Sequence, residues 1–187
     1  SISIQSALKS FHFTKDESDA IPTLPESIVT EAQRLALSSE VKMGGAGDID
    51  LIYALTKLSK AVNVLETGVA YGWSSLALLY ALNDVDGARL VSVDMPYPKM
   101  NNENFVGIAV PKDLRNIWEL IREPDRNGIK KAINSFDYNI DLCHYDSDKS
   151  YWGRDFAYPL LWDALVPGGI FISDDIQDNF FFRNFAT

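Results

Sequence analysis

Short, nearly continuous apolar runs alternate along this chain with longer stretches whose apolar residues recur at every third or fourth position. The runs at 63–67 (NVLET), 90–94 (LVSVD), 117–121, 140–145 (IDLCHY) and 170–173 predict strands buried on both faces. The stretches between them predict helices. Pro25 opens one that reaches Leu37, with Ile28, Val29, Ala32, Leu35 and Ala36 on its apolar face. Asp48 is placed to cap a second, in which Ile49, Ile52, Leu55 and Leu58 repeat through Lys60. Others are expected at Ser74–Leu82, at 127–133, and at 151–165, where Pro159 should introduce a kink. Asn83 to Gly87 and Val166-Pro167-Gly168-Gly169 read as turns. Strand–helix alternation of this kind predicts an α/β protein with a doubly wound parallel sheet. Residues 1–42 read as an N-terminal helical arm and 43–187 as the main domain.

Composition narrows the class of ligand. At 187 residues, 47% of them hydrophobic, the chain can bury a substantial core. Its 26 acids against 17 bases give a net charge of −9, which repels nucleic acid and anionic membranes and leaves small molecules as the expected ligands. No apolar run suits a membrane span, and the start of the chain lacks the pattern of a secretory signal. The single cysteine, Cys143, can form no internal disulfide and reads as a packing residue, so a cytoplasmic location is expected.

The chemistry concentrates at the carboxyl ends of the strands. The first strand runs into Glu66-Thr67-Gly68-Val69-Ala70-Tyr71-Gly72-Trp73-Ser74-Ser75, a carboxylate followed by a glycine turn and a helix start. Gly68 and Gly72 allow a tight turn and close approach of a ligand, and Ser74 and Ser75 are expected to cap the helix. The spacing E-x-G-x-x-x-G-x-S lacks the middle glycine of a dinucleotide fingerprint and the lysine of a phosphate loop. An acid here suits a cationic ligand. The pattern resembles the first motif of class I S-adenosylmethionine-dependent methyltransferases, in which the acid and glycines hold the methionine part of the cofactor. That resemblance implies a Rossmann-like methyltransferase fold and cofactor contacts from Met43, Gly44, Glu66, Gly68, Tyr71, Gly72 and Ser74. Asp94, about 20 residues beyond the turn, is expected at the ribose, where a carboxylate can accept from both hydroxyls. Asp125 falls where this fold contacts the adenine.

Asp146 ends the fourth strand and Asp174-Asp175 the fifth. Adjacent strands would bring these three acids together, where without a cation they should raise one another's pKa values. A hard divalent ion, Mg²⁺ or another, would relieve that repulsion. The arrangement is similar to metal-dependent O-methyltransferases of the catechol and antibiotic-tailoring kinds, which implies a metal site at Asp146, Asp174 and Asp175 and a general-base role for Lys149. His144 reads as a core residue, and His12, in the arm, carries no assignment. Members of this class continue with two further strands, for which the residues after Asp175 leave no room; a sheet lacking them is expected. The resulting expectation is methyl transfer from S-adenosylmethionine to a hydroxyl of a small molecule, with divalent-metal assistance. A second copy of the chain is a further candidate partner. Two alternatives stand beside it: a non-catalytic cofactor-binding domain, and metal-dependent hydroxylase-like chemistry on the same fold.

Overall fold

A computed structural model of the chain describes residues 3–11, 13, 14, 16, 21–95 and 99–187. His12 and the Pro96-Tyr97-Pro98 part of the insertion after the second strand lie outside them. The elements in order are α1 (Ile4–Leu8), α2 (Glu26–Leu37), α3 (Ile49–Ser59), β1 (Asn63–Thr67), α4 (Trp73–Leu82), β2 (Arg89–Val93), a 3₁₀ segment (Lys112–Ile117) and β3 (Trp118–Ile121). They continue with α5 (Asp125–Ser135), β4 (Ile140–Tyr145), α6 (Tyr151–Asp163), β5 (Leu165–Ser173), a 3₁₀ turn (Ile176–Asp178) and α7 (Phe181–Phe185).

All strand pairs are parallel, and the sheet order is β3-β2-β1-β4-β5. The expected five-stranded Rossmann-like sheet is therefore present. Because neighbouring residues on a strand face opposite ways, each strand feeds two cores. Val64, Leu90 and Leu142 face α3 and α4, whereas Leu65, Val91 and Cys143 face α5 and α6. Helix α4 is buried on nearly every side, which explains why Leu76 to Leu82 shows so little polar character. Of the arm's described residues, Leu8, Leu24, Ala32 and Ala36 pack into the α3–α4 core.

Two local expectations change around helix α6, which spans Tyr151 to Asp163 with Pro159 inside it. It ends before Leu165, which opens β5 and pairs with Ile140. The segment Val166-Pro167-Gly168-Gly169 is absorbed into β5 as a bulge, because the next pair is Leu142 with Ile170. The chain turns there, with Gly168 at φ +87°, yet does not leave the sheet.

Strand β1 is flanked by β2, the next strand, and by β4, reached only after the chain has crossed back. This is the topological switch point, and the carboxyl ends of β1 and β4 form the crevice where ligands bind in open α/β sheets.

Candidate functional site

The floor of the crevice is the turn after β1. The Gly68 amide donates to the Val93 carbonyl (2.9 Å), and the Asp146 amide donates to the Thr67 carbonyl (2.8 Å), so the ends of β1, β2 and β4 are tied together. Gly68 adopts φ +81°, and a Cβ there would lie 2.5 Å from the Asp146 carbonyl oxygen. At Gly72 the chain enters α4, with φ +88°, against Gly107 and Val110 of the long insertion. The amides of Gly107 and Ala109 donate to the carbonyls of Ala70 and Tyr71 (both 2.9 Å), which holds the insertion against the turn.

Glu66 does not reach the crevice. It is fully buried, and its two oxygens accept hydrogen bonds from Ser74, Ser75 and Ser92, each at 2.6 Å. Trp118 Nε1 donates in turn to Ser92 Oγ (2.8 Å). The motif acid therefore fastens β1 to β2 and to the start of α4, because its lone pairs are taken up by protein hydroxyls. Ser74 and Ser75 accordingly do not cap α4: Gly72 holds the N-cap position, and no side chain caps the helix. His144 Nδ1 lies 3.8 Å from Glu66 Oε1, buried and without a hydrogen-bond partner.

Above this floor is a cavity of about 440 Å³, lined by Gly68, Val69, Ala70, Asp94, Met95, Asn102, Pro124, Asp125, Arg126, Asp146, Ser147 and Asp148. Its size suits a nucleoside-sized ligand. Asp94 Oδ1 accepts from the Val69 amide (2.9 Å). Burial raises the Asp94 carboxyl above the ordinary aspartate range, with the Val69 amide working against it. Asp125 lies at the first turn of α5 and accepts from Ser147 Oγ (2.6 Å), which also lies within hydrogen-bond distance of Thr67 Oγ1 (3.0 Å). Its carboxyl too is raised by burial, and the Ser147 bond opposes the rise. Ser147 is a site residue that the motifs do not reveal; its place directly after a strand-end acid is the one signal the sequence carries.

A smaller hollow of about 70 Å³ adjoins it, bounded by the Gly44–Asp48 segment, Ser74, His144, Asp146 and Asp174 among others. Of the residues expected at the cofactor, Gly68, Asp94 and Asp125 thus meet around the larger cavity, and Gly44 and Ser74 around the smaller. Met43, Tyr71 and Gly72 line neither. Tyr71 instead donates its hydroxyl to the Val41 carbonyl (2.6 Å) and accepts from the Met43 amide (3.1 Å), which pins the segment before α3 over the turn. A larger hollow, about 710 Å³, is an open groove between residues 83–91 and 116–119, at the amino ends of β2 and β3. It lies at the end of the sheet away from the strand-end acids, where open α/β folds do not place their ligands.

Asp146, Asp174 and Asp175 do converge, each offering an oxygen within 4.8 Å of the others. At Asp175 the expected rise in pKa does not occur. The Lys149 ammonium bonds to Asp146 and lies 3.1 Å from Asp175 Oδ2, and that contact lowers the Asp175 carboxyl below the usual range. The cluster carries its own cation. Behind it stands a support that the motifs do not announce. Arg154 on α6 is fully buried and donates to the carbonyls of Asp175 (2.7 Å) and Asp174 (3.3 Å), across a turn where Asp175 has φ +50°. Asn179 donates to the Lys149 carbonyl (2.9 Å) and faces the same guanidinium (3.4 Å). Together they fix the spacing between the acid after β4 and the pair after β5. A buried arginine in a helix gives no sequence signal beyond its charge.

The fold has counterparts among known proteins. A family model described as "Methyltransferase domain" matches residues 65–176. No match to a curated protein reaches significance. Among solved structures, the Podospora anserina methyltransferase PaMTH1, bound to SAH, superimposes with a TM-score of 0.62 at 19% identity, covering 94% of this chain and 72% of its own. An O-methyltransferase from Bacillus cereus in complex with SAH gives 0.60 at 17%, covering 88% and 72%. TomG of Streptomyces achromogenes, an O-methyltransferase involved in tomaymycin synthesis and bound to SAM, gives 0.56 at 18%, covering 85% and 69%. At these identities the likeness is one of fold.

Proposed function

The chain belongs to the methyltransferase-domain family, and from that premise we propose that it transfers a methyl group from S-adenosylmethionine to a hydroxyl of a small molecule. The observation that carries this reading is the 440 Å³ cavity at the switch point, with Gly68, Asp94 and Asp125 on its walls. When bound, S-adenosylmethionine supplies an electrophilic methyl on a sulfonium. The similar structures named above, which hold SAM or SAH, support the cofactor.

The residues of this chain fit that ligand. Gly68 leaves the floor without a side chain. Asp94 spends one oxygen on the turn and keeps the other for a ribose hydroxyl. Asp125, oriented by Ser147, is placed for the adenine edge. The pinned segment around Met43 and Gly44 closes over the turn and excludes water. Such a frame contributes chiefly by holding two reactants in near-attack geometry.

The donor set of Asp146, Asp174 and Asp175 also fits a hard divalent ion such as Mg²⁺, which takes carboxylate oxygens. Those three residues would hold it, and its chemistry there would be to lower the pKa of an acceptor hydroxyl. Lys149 would have to leave Asp146 and Asp175 first. Paired with them, Lys149 acts as counter-charge in this arrangement. A general-base role requires its release.

Calorimetry with S-adenosylhomocysteine tests the cofactor site. Asp94→Ala is expected to weaken binding about 10- to 100-fold, the range for loss of a hydrogen bond to a charged acceptor. Unchanged affinity would remove the ribose assignment. Incubation with methyl-labelled cofactor and a panel of catechols and hydroxylated metabolites tests transfer; binding without turnover on any of them would favour a non-catalytic cofactor-binding domain. The same assay with chelator tests the ion. A rate that falls at least tenfold with chelator, and likewise in Asp146→Asn, is expected; indifference to both would leave a metal-free enzyme.

A further inference from the structure

Asn102 is 1% exposed and lines the larger cavity, yet its Oδ1 has no hydrogen-bond partner among the described residues. Its Nδ2 donates to Met43 Sδ (3.3 Å), which fixes the amide and leaves the oxygen on the other side. Buried carbonyl oxygens are nearly always satisfied, so an unpartnered one on a residue that lines a ligand cavity marks where a ligand's donor belongs. The acids of this cavity are acceptors too, so a ligand carrying hydroxyl donors suits it.

Asp94 narrows the choice. Its Oδ1 is already engaged by the Val69 amide, and the backbone of Ala70 also bonds to this carboxylate. The turn takes up part of this carboxylate's accepting capacity, whereas a ribose presents two hydroxyls. Resting on the cofactor reading above, we infer that Asn102 is a cofactor-binding residue whose Oδ1 accepts a hydrogen bond from one ribose hydroxyl while Asp94 accepts from the other. The insertion between β2 and β3 then takes part in binding, and its contact with Met43 joins it to the segment that covers the turn.

The test is a calorimetric comparison of S-adenosylhomocysteine with its 2′-deoxy and 3′-deoxy analogues, on the wild type, Asn102→Ala and Asn102→Asp. The wild type should bind each analogue about tenfold more weakly than the parent. Asn102→Ala should lose about tenfold on the parent but no further on one particular analogue, the one lacking the hydroxyl that Asn102 serves. The other analogue should still be penalised, because that hydroxyl belongs to Asp94. Asn102→Asp, which keeps an acceptor oxygen, should retain the wild-type discrimination. The melting temperature of the ligand-free protein should fall only modestly in Asn102→Ala, since the one protein bond lost is the weak one to Met43 Sδ, whereas the ligand-induced rise should shrink. Asn102→Ala matching the wild type on all three compounds would overturn the inference, as would equal weakening on all three. If Asn102→Ala does not fold, loss of discrimination in Asn102→Asp would overturn it equally. Failure of the wild type to bind the parent compound would overturn the cofactor reading itself, and this inference with it.

Discussion

Glu66→Ala is expected to cost about 4 kcal/mol of folding stability, the lower end for three hydrogen bonds to a buried charged acceptor. The lower end applies because orphaned serine hydroxyls can rotate toward other partners. Ser74, Ser75 and Ser92 would each lose a 2.6 Å bond, and the contact from Trp118 Nε1 to Ser92 would lose its support. Glu66→Gln keeps the shape and one carbonyl acceptor, so about half that loss is expected. Urea denaturation gives both values, and tryptophan fluorescence should report on Trp118. A loss below about 1 kcal/mol in the alanine variant would show that the three hydroxyls are satisfied elsewhere and that the network does not hold the β1–β2–α4 corner.

The second large effect is at Gly68. A Cβ at this position would meet the Asp146 carbonyl oxygen at 2.5 Å, its carbon at 2.7 Å and the Ser147 amide nitrogen at 3.0 Å. All three are backbone atoms tied into the sheet, so no side chain can swing aside. Left-handed backbone adds about 1–2 kcal/mol, and overpacking about 1–3 kcal/mol more. Gly68→Ala should therefore lose roughly 2–5 kcal/mol. It should also weaken S-adenosylhomocysteine binding by roughly 100-fold or more, because β1 and β4 must part at the floor of the cavity. Gly87 is the control. It too has a positive φ, +71°, but nothing lies within 4 Å of where a Cβ would stand. Gly87→Ala should show the backbone cost alone and leave binding intact. Equal losses in the two variants would mean that the close approach to Asp146 is unimportant.

The strands are legible because burial on both faces writes a short apolar run, and β1 and β4 have the expected bounds. The convergence of Asp146 with Asp174 and Asp175 is legible from strand adjacency. That Glu66 is bonded to three serines and does not line the cavity is not legible, because a motif acid looks the same whether its partner is a cofactor or three serines. The informative residue is Ser92, a hydroxyl inside an otherwise apolar strand, which needs a buried partner. Asn102 and Arg154 are invisible for a different reason. Their roles depend on where the insertion and α6 come to rest, and no periodicity encodes that. The β5 bulge escapes notice because a Pro-Gly-Gly segment ordinarily ends a strand, whereas pairing on both sides of it keeps this strand whole.

The ammonium that sits between Asp146 and Asp175 has a practical corollary. A protein that balances these acids from within can be prepared and stored without supplementing any salt of magnesium or manganese, and stripping such salts should leave its melting behaviour alone. Any ion that does arrive has to evict a tethered rival, so its apparent affinity measures a contest and not the strength of three carboxylates alone.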